Sequence, residues 1–231
     1  MPSKIAELHE LNNEVVCCRK CSRLVRWRKQ TAREKRFAYR DWTYWAKPLP
    51  GFGDPSARLL VIGLAPAAHG GNRTGRMFTG DRSGDFLYRA LYAAGFANQP
   101  TSISRGDGLE LKDAYITAAV RCAPPENKPL PLEQKNCRAY LERELDIMHP
   151  RAILALGGIA LRAYLTVLKD RGAIENFAPY PFGHGVRYEF PAGLPRLFAS
   201  YHPSQQNTFT GKLTQAMLTK LLREIRDFLN Q

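Results

Sequence analysis

Four short apolar runs, separated by helical patterns, constrain the fold of this 231-residue chain more than any other feature. They cover residues 58–63, 114–120, 152–157 and 196–201. Near-continuous apolarity over so short a span is typical of parallel strands that are covered on both faces. The alternation of strands and helices therefore predicts a layered α/β fold with a mostly parallel sheet, in a single domain over residues 1–231.

Helical spacing of apolar residues appears in four further segments, which are 83–94, 132–148, 157–168 and 213–229. Residues 27–57, rich in Trp, Arg, Lys and Pro, are predicted to be an irregular excursion over the surface. Ligands of parallel α/β sheets bind beyond the carboxyl ends of the strands. The loops that follow the first, second and fourth strands are therefore expected to meet at one edge.

The chain is strongly basic, with a net charge of +13 from 34 basic and 21 acidic residues. Such an excess favours a polyanionic partner. Because the sequence has no long basic amphipathic helix, nucleic acid is favoured over a membrane as that partner. A basic surface kept for solubility is the alternative. The first twenty residues contain no long apolar stretch, so neither a signal peptide nor a membrane span is predicted.

The cysteines form a pattern that suits metal binding. Cys18 and Cys21 form a C-x-x-C pair, and Cys122 and Cys137 form a wider second pair, which leaves Cys17 as a free thiol. Four thiolates hold zinc or an iron–sulfur cluster equally well, although the basic neighbours favour the negatively charged cluster. Unrelated buried thiols are the alternative. An odd cysteine count without an export signal favours a reducing, cytoplasmic compartment.

A glycine-rich loop follows the first strand, and its opening glycine, Gly63, allows a close approach of the backbone to a ligand. The loop lacks the Gly-Lys-Ser/Thr ending of a phosphate-binding P-loop. Its polar side chains could hold a phosphate or a base edge, and these are His69, Asn72, Arg73 and Arg76. An ordinary strand–helix turn is an equally good interpretation.

Asp81 and His202 are the candidates for chemistry. Asp81 stands where a helix begins, so it either caps that helix or orients water and stabilises a cation. His202 follows the last strand, where α/β sites are built, and a neutral imidazole there can donate a hydrogen bond to a leaving group. A structural histidine is the less favoured interpretation.

Three segments together resemble the uracil-DNA glycosylase superfamily, specifically its family 5, the type-b iron–sulfur enzymes. Residues 63–81 (GLAPAAHGGNRTGRMFTGD) resemble the first motif, 119–129 (AVRCAPPENKP) the central motif, and 202–211 (HPSQQNTFTG) the final motif. The resemblance covers residues 18 to about 214. It implies a three-layer α/β/α fold with a central four-stranded parallel sheet and a structural [4Fe–4S] cluster on Cys18, Cys21, Cys122 and Cys137.

The resemblance also implies the reaction, which is hydrolysis of the N-glycosidic bond of a deaminated base that has been flipped out of DNA. Ala65 stands where many relatives carry an acid, and Ala118 where strictly uracil-selective relatives carry an asparagine. Both departures imply a broad-specificity enzyme for uracil, hypoxanthine and related bases, monofunctional and without a lyase step. The implied partner is damaged double-stranded DNA, with single-stranded DNA left open, and the implied state is a monomer.

Residue roles follow from the same resemblance. Asp81 is expected to place water or stabilise the sugar cation, Asn127 to contact the base, and His202 to stabilise the departing base. Phe78 matches the aromatic on which the flipped base stacks. The full set of predicted substrate-binding residues is Gly63, Ala65, Ala68, His69, Asn72, Arg73, Arg76, Phe78, Ser204, Gln205, Gln206 and Asn207.

Two other functions remain open on the sequence. A zinc-stapled, non-catalytic nucleic-acid-binding module would use the same cysteines and the same basic charge. A metal-dependent phosphoesterase is disfavoured, because Asp81 and His202 have no further acidic or histidine cluster to complete a two-metal site.

Overall fold

The computed structural model describes residues 3–191 and 193–231, and a six-stranded sheet forms its centre. The strands, in chain order, are β1 (Phe52–Gly53), β2 (Leu59–Gly63), β3 (Ala114–Ala118), β4 (Ala152–Leu156), β5 (Arg187–Tyr188) and β6 (Arg196–Ser200). Their order in the sheet is β1-β3-β2-β4-β6-β5. The four inner strands are parallel, as predicted, and each edge strand pairs antiparallel with its neighbour.

Helices cover both faces of the sheet. They are α1 (Lys4–Cys17), α2 (Ser22–Glu34), α3 (Gly71–Thr74), α4 (Arg82–Ala93), α5 (Pro131–Met148), α6 (Gly158–Asp170), α7 (Gln205–Phe209) and α8 (Gln215–Leu229). Short 3₁₀ turns occupy Phe37–Tyr39 and Pro125–Asn127.

The three layers follow from the alternation of side chains along each strand. Val61 of β2 packs into a core that α4 and α8 cover, whereas Leu60 and Ile62 pack into a core that α1, α5 and α6 cover. All five residues of β2 are buried. The expected α/β/α architecture is therefore confirmed, since apolar residues on both faces require a helical layer on each side.

The prediction for residues 27–57 was wrong in two respects. Helix α2 continues to Glu34, because its Arg, Lys, Gln and Glu residues are good helix formers even though few of them are apolar. The stretch that follows is not confined to the surface, since Tyr44 and Leu49 are buried. The backbone N–H of Leu49 donates to the carbonyl of Arg121 at 2.8 Å and anchors the segment beyond β3.

Other boundaries shifted slightly. Strand β3, the second of the four predicted strands, ends at Ala118. The N–H groups of Ala119 and Val120 bond instead to the carbonyls of Gly63 and Leu64, at the end of β2 and in the loop after it. The last helix begins at Gln215, where the Thr214 side chain accepts from Met217 as an N-cap. The two-residue edge strands are too short to give a periodic signal in the sequence.

The single domain over residues 1–231 stays a prediction. Within the described part of the chain, no helix combines the length and the apolarity that crossing a membrane requires.

Candidate active site

The loops after β2 and β6 meet at the carboxyl edge of the sheet, as predicted. The rings of Phe78 and His202 lie 5.8 Å apart between centroids, at an interplanar angle of 31°. Gly157, which directly follows the neighbouring strand β4, borders His202, since a β-carbon at Gly157 would lie 3.3 Å from Cβ of His202. An aromatic ring and an imidazole therefore lie together at the carboxyl ends of β2, β4 and β6, where parallel α/β sheets form their binding crevice.

Phe78 is held in an unfavourable backbone conformation. Its φ is +50°, in the left-handed region that bulky residues rarely enter. Its ring lies against Gly63, where a β-carbon would come within 2.7 Å of the ring, so only glycine permits this approach. Strain of this kind persists where the surroundings fix it and is concentrated at functional sites.

His202 is set up as a neutral hydrogen-bond donor. Burial lowers the pKa of its imidazole to about 4, so the ring is uncharged at neutral pH. Its backbone carbonyl accepts from the Ser204 N–H at 2.7 Å and from the Asn207 amide at 2.8 Å. Two of the predicted substrate-binding residues, Ser204 and Asn207, therefore hold the loop that carries the imidazole.

Asp81 fills the structural role foreseen for it and is also partly buried. Its Oδ1 accepts from the Gly84 N–H at 3.0 Å as the N-cap of α4. The other oxygen, Oδ2, lies so close to Gly70 that a β-carbon there would sit 2.0 Å away. Burial raises the pKa of the Asp81 carboxyl above its ordinary value.

The two arginines of the glycine-rich loop point into the protein. The Arg73 guanidinium donates to the carbonyls of His69 and Gly80 and lies about 4 Å from the rings of Tyr39 and Trp42. Both arginines are buried, so their predicted contact with substrate stays a prediction, and the observed bonds support a role in bracing the loop.

Arg76 is the more tightly committed of the two. It forms an ion pair with Asp107, at 2.6 Å from Nη2 to Oδ2, and further bonds to Thr79 and Ser102. Its side chain is buried and its N–H groups are already bonded to protein groups, which does not favour a contact with phosphate.

Asn72 and His69 are likewise engaged by protein groups. The Asn72 amide is fully buried and donates to the carbonyls of Arg28 and Ala68, each at 3.3 Å. Nδ1 of His69 lies 3.0 Å from the hydroxyl of Tyr44. The pKa of the His69 imidazole is lowered mainly by burial and, to a smaller extent, by the positive charges of nearby arginines. Their contacts with substrate stay predictions.

Asn127 ends the 3₁₀ turn in the loop after β3. It is exposed on the 3₁₀ turn after β3, and no contact of its side chain with either ring is among those described. Glu126 and Asn127 both have left-handed backbone, with φ of 53° and 57°. Two consecutive non-glycine residues in that region mark a constrained loop, which is a signal of function that the sequence did not give.

The remaining predicted residues divide between shielded and exposed positions. Ala65 packs against the cysteine region, next to Cys21 and Cys122. Gln205 and Gln206 are exposed in the first turn of α7.

The four predicted cysteine ligands line one cavity between α1, α2 and the segment after β3, whereas Cys17 is exposed outside it. Burial raises the pKa of the Cys122 thiol to about 12 and that of Cys137 to about 11. Among the residues described, no three metal-binding side chains are grouped closely enough to hold a single metal ion. The cysteines thus share a cavity without converging on one point.

The buried guanidinium groups of Arg28 and Arg121, beside this cavity, have N–H donors without hydrogen-bond partners among the described residues. Nη1 of Arg28 donates to Sγ of Cys122 at 2.8 Å, while its buried Nε has no partner among the described residues. Arg121 is paired with Glu144 at 2.5 Å, and its Nε and Nη1 are similarly without partners there. Positive N–H donors in this position fit a negatively charged metal–thiolate group.

Several residues that shape the site were missed by the sequence reasoning. Tyr39 and Trp42 clamp Arg73, and Tyr44 holds His69, all from the segment predicted to be an irregular excursion. Phe209, at the end of α7, is 67% exposed, with the Arg82 guanidinium 5.2 Å from its ring centroid. The concentration of aromatic and basic residues between 27 and 57 was the available signal for the first group.

Fold and site together define an α/β protein with an aromatic–imidazole pair at the carboxyl edge of a parallel sheet. The chain belongs to the Uracil DNA glycosylase superfamily, whose sequence model matches residues 50–226.

Relatives from distant organisms resemble the chain over most of its length. It is 52% identical to a type-5 uracil-DNA glycosylase of Mycobacterium bovis over 94% of this chain and 80% of the relative. The identity is 50% to a type-5 uracil-DNA glycosylase of Thermus thermophilus, over 92% and 94% of the two chains. A type-5 uracil-DNA glycosylase of Pyrobaculum aerophilum is 48% identical, over 91% and 88%.

Proposed function

We propose that this protein is a DNA-repair uracil-DNA glycosylase, a hydrolase that cleaves the N-glycosidic bond between a deaminated base and deoxyribose and leaves an abasic site. The observation that carries the proposal is the strained Phe78 ring beside the neutral His202 imidazole, 5.8 Å apart between centroids at the carboxyl edge of the sheet. The type-5 glycosylases that resemble more than nine-tenths of the chain support it.

Recognition of the base falls to Phe78. A base must leave the duplex stack before its glycosidic bond can be reached, which costs a few kcal/mol. The Phe78 ring offers a replacement stacking partner, and the contact with Gly63 keeps that ring fixed. Fixing it in advance avoids part of the ordering cost of binding.

His202 and Asp81 address the opposite charges that develop when the bond breaks. Negative charge grows on the departing base, and the neutral His202 imidazole donates a hydrogen bond to it. Positive charge grows on the sugar, and the Asp81 carboxylate stabilises it or positions the attacking water. Asn127 is assigned to the base edge, which its amide can contact from the loop after β3.

Broad specificity is the finer part of the proposal. Ala118, at the end of β3, stands where strictly uracil-selective relatives carry an asparagine, and Ala65, just beyond β2, stands where many relatives carry an acid. A site with fewer directional groups accepts uracil and hypoxanthine alike, because rejection of one base requires a polar group left unpaired by it.

DNA binding is assigned to the basic surface and to the loop after His202. The net charge of +13 predicts an affinity that falls steeply with salt. We assign to the exposed Phe209 side chain the role of entering the space that the flipped nucleotide leaves. We infer that damaged double-stranded DNA is the main substrate, with acceptance of single-stranded DNA left open to test, and that the protein acts as a monomer in the cytoplasm.

A structural [4Fe–4S] cluster on Cys18, Cys21, Cys122 and Cys137 completes the proposal. Its support is the shared cavity and the uncompensated N–H groups of Arg28 and Arg121. When bound, the cluster would supply a rigid cross-link between α1, α2 and the segment after β3, with no part in the hydrolysis.

The deciding experiment uses duplexes that carry one uracil or one hypoxanthine, incubated with the purified protein without added metal. Strand scission only after alkali would establish a monofunctional glycosylase, and cleavage of both substrates would establish broad specificity. No scission with either substrate, from folded protein that binds the duplex, would indicate a nucleic-acid-binding module instead.

The cysteine assignment has its own test. Visible absorbance together with about four iron atoms per chain would establish the cluster, whereas a colourless protein with stoichiometric zinc would replace it. Cys122→Ser should lose the metal and unfold more easily, while Cys17→Ser is the matched control that should retain both. A fully loaded and stable Cys122→Ser protein would remove this residue from the ligand set.

A further inference from the structure

A second aromatic group lies beside His202 and is not used in the proposed chemistry. Strand β5 runs antiparallel to β6, and the Gly185 N–H donates to the Ala199 carbonyl at 2.8 Å. The residues just before Gly185 therefore lie at the carboxyl end of β6, at the same edge as His202. This places Phe182 and His184 next to the crevice.

These side chains form one continuous cluster with Tyr201, the residue that precedes His202. The rings of Phe182 and Tyr201 meet edge to face at 5.9 Å, and those of His184 and Tyr201 are stacked at 5.7 Å. We call Phe182, His184 and Tyr201 the aromatic shelf. Phe182 also contacts Gly158, where a β-carbon would lie 3.7 Å from its ring.

Phe182 is the solvent-exposed member of the shelf, and a lysine lies at the Tyr201 end of the shelf. Phe182 is 41% exposed and belongs to neither of the two large cores. The Lys212 ammonium, from the loop after α7, lies 4.6 Å from the centroid of the Tyr201 ring. An exposed aromatic face beside a lysine is the combination by which proteins stack the bases and hold the phosphates of single-stranded DNA.

We propose that the aromatic shelf and Lys212 bind the nucleotide adjacent to the flipped one, with its base on Phe182 and its phosphate near Lys212. The inference rests on the proposed function, because it takes DNA to be the ligand of the neighbouring crevice. In a duplex, the adjacent base stays paired and stacked on its neighbours. In single-stranded DNA it is free to move, so the shelf contributes more to binding single strands than to binding duplexes.

The test uses single-stranded oligonucleotides with a 2-aminopurine directly beside the target uracil, on either side in separate strands. Wild type should quench the fluorescence of one of them. Phe182→Ala should lose that quenching and raise the KM for single-stranded substrate about tenfold, a typical loss of base–aromatic stacking, while kcat stays within a factor of two. The KM for duplex substrate should change less than threefold.

Three comparisons keep the result interpretable. Phe182→Trp should restore the quenching, and Tyr92→Ala removes an equally exposed aromatic at the far end of α4 and should behave as wild type. Unchanged quenching and KM in Phe182→Ala, with an unchanged melting temperature, would overturn the shelf. A wild type that quenches but does not cleave uracil would overturn the proposed function and leave the shelf supported.

Discussion

Two loops reach the same edge of the sheet and differ in how their side chains are engaged. In the glycine loop, residues 63–81, the side chains of Asn72, Arg73 and Arg76 are buried and bonded to protein groups. In the histidine loop, residues 201–212, Gln205, Gln206 and Phe209 face solvent.

The difference indicates how one site combines rigidity with contact to a large substrate. In the glycine loop, the polar groups hold Phe78 and Asp81 in place. A site that is fixed in this way needs no reorganisation when the base arrives. The histidine loop fixes only its backbone, through bonds to the His202 carbonyl, and leaves its outer side chains free. Four predictions test this division, in order of decreasing effect.

The largest effect is expected for Asp81 and His202, the proposed catalytic residues, one of which lies in each loop. Asp81→Asn and His202→Ala should each lower turnover by about 10²- to 10⁴-fold while retaining binding to damaged DNA. Asparagine caps a helix as well as aspartate does, so Asp81→Asn separates catalysis from the N-cap. Single-turnover rates and fluorescence anisotropy measure the two quantities. Wild-type turnover in either variant would remove that residue from the mechanism.

The second prediction contrasts stability between the loops. Arg76→Met leaves the Asp107 carboxylate without its main partner and should lower the free energy of unfolding by about 3–5 kcal/mol. Gln206→Ala, in the histidine loop, should change it by less than about 0.5 kcal/mol. Urea denaturation of both variants measures the difference. Equal losses of unfolding free energy in the two variants would mean that the side chains of the glycine loop do not stabilise the fold more than those of the histidine loop.

The third prediction concerns pH. The pKa of His202 is about 4 in the folded protein, below the value of about 6.5 in an unfolded chain, so its neutral form stabilises the fold above pH 6.5. This contribution is lost as the pH falls from about 6.5 to about 4, and it amounts to about 3 kcal/mol at most. His202→Gln should lack this dependence when the two proteins are unfolded in urea across that range. Parallel pH profiles would show that His202 is not protected from protonation.

The smallest effect is expected for Phe209. Phe209→Ala should raise the KM for duplex substrate several-fold and leave the melting temperature unchanged, because the exposed ring has little to lose in the free protein. Arg82, over the same ring, provides the companion variant Arg82→Ala, which should have a weaker effect of the same sign. A large loss of stability in Phe209→Ala would assign the ring to the fold rather than to DNA.

Prediction from the sequence succeeded where the signal is local. The four apolar runs, from residue 58 onward, gave the four parallel strands, because side chains buried on both faces leave a continuous apolar signature. It failed for α2 and for the segment around Tyr44 and Leu49, whose burial depends on contacts with Asn72, Arg73 and Arg121 far along the chain. No local pattern records such partners.

The sequence by itself determined the layered fold and the edge of the sheet at which Phe78 and His202 meet. Only the tertiary structure decided which polar residues of the glycine loop remain available, since Arg73 and Arg76 look alike in sequence whether they face DNA or the interior. It also decided that Phe182 and Tyr201 stand beside His202. Availability and proximity depend on long-range packing, and packing is a property of the folded chain rather than of any segment of it.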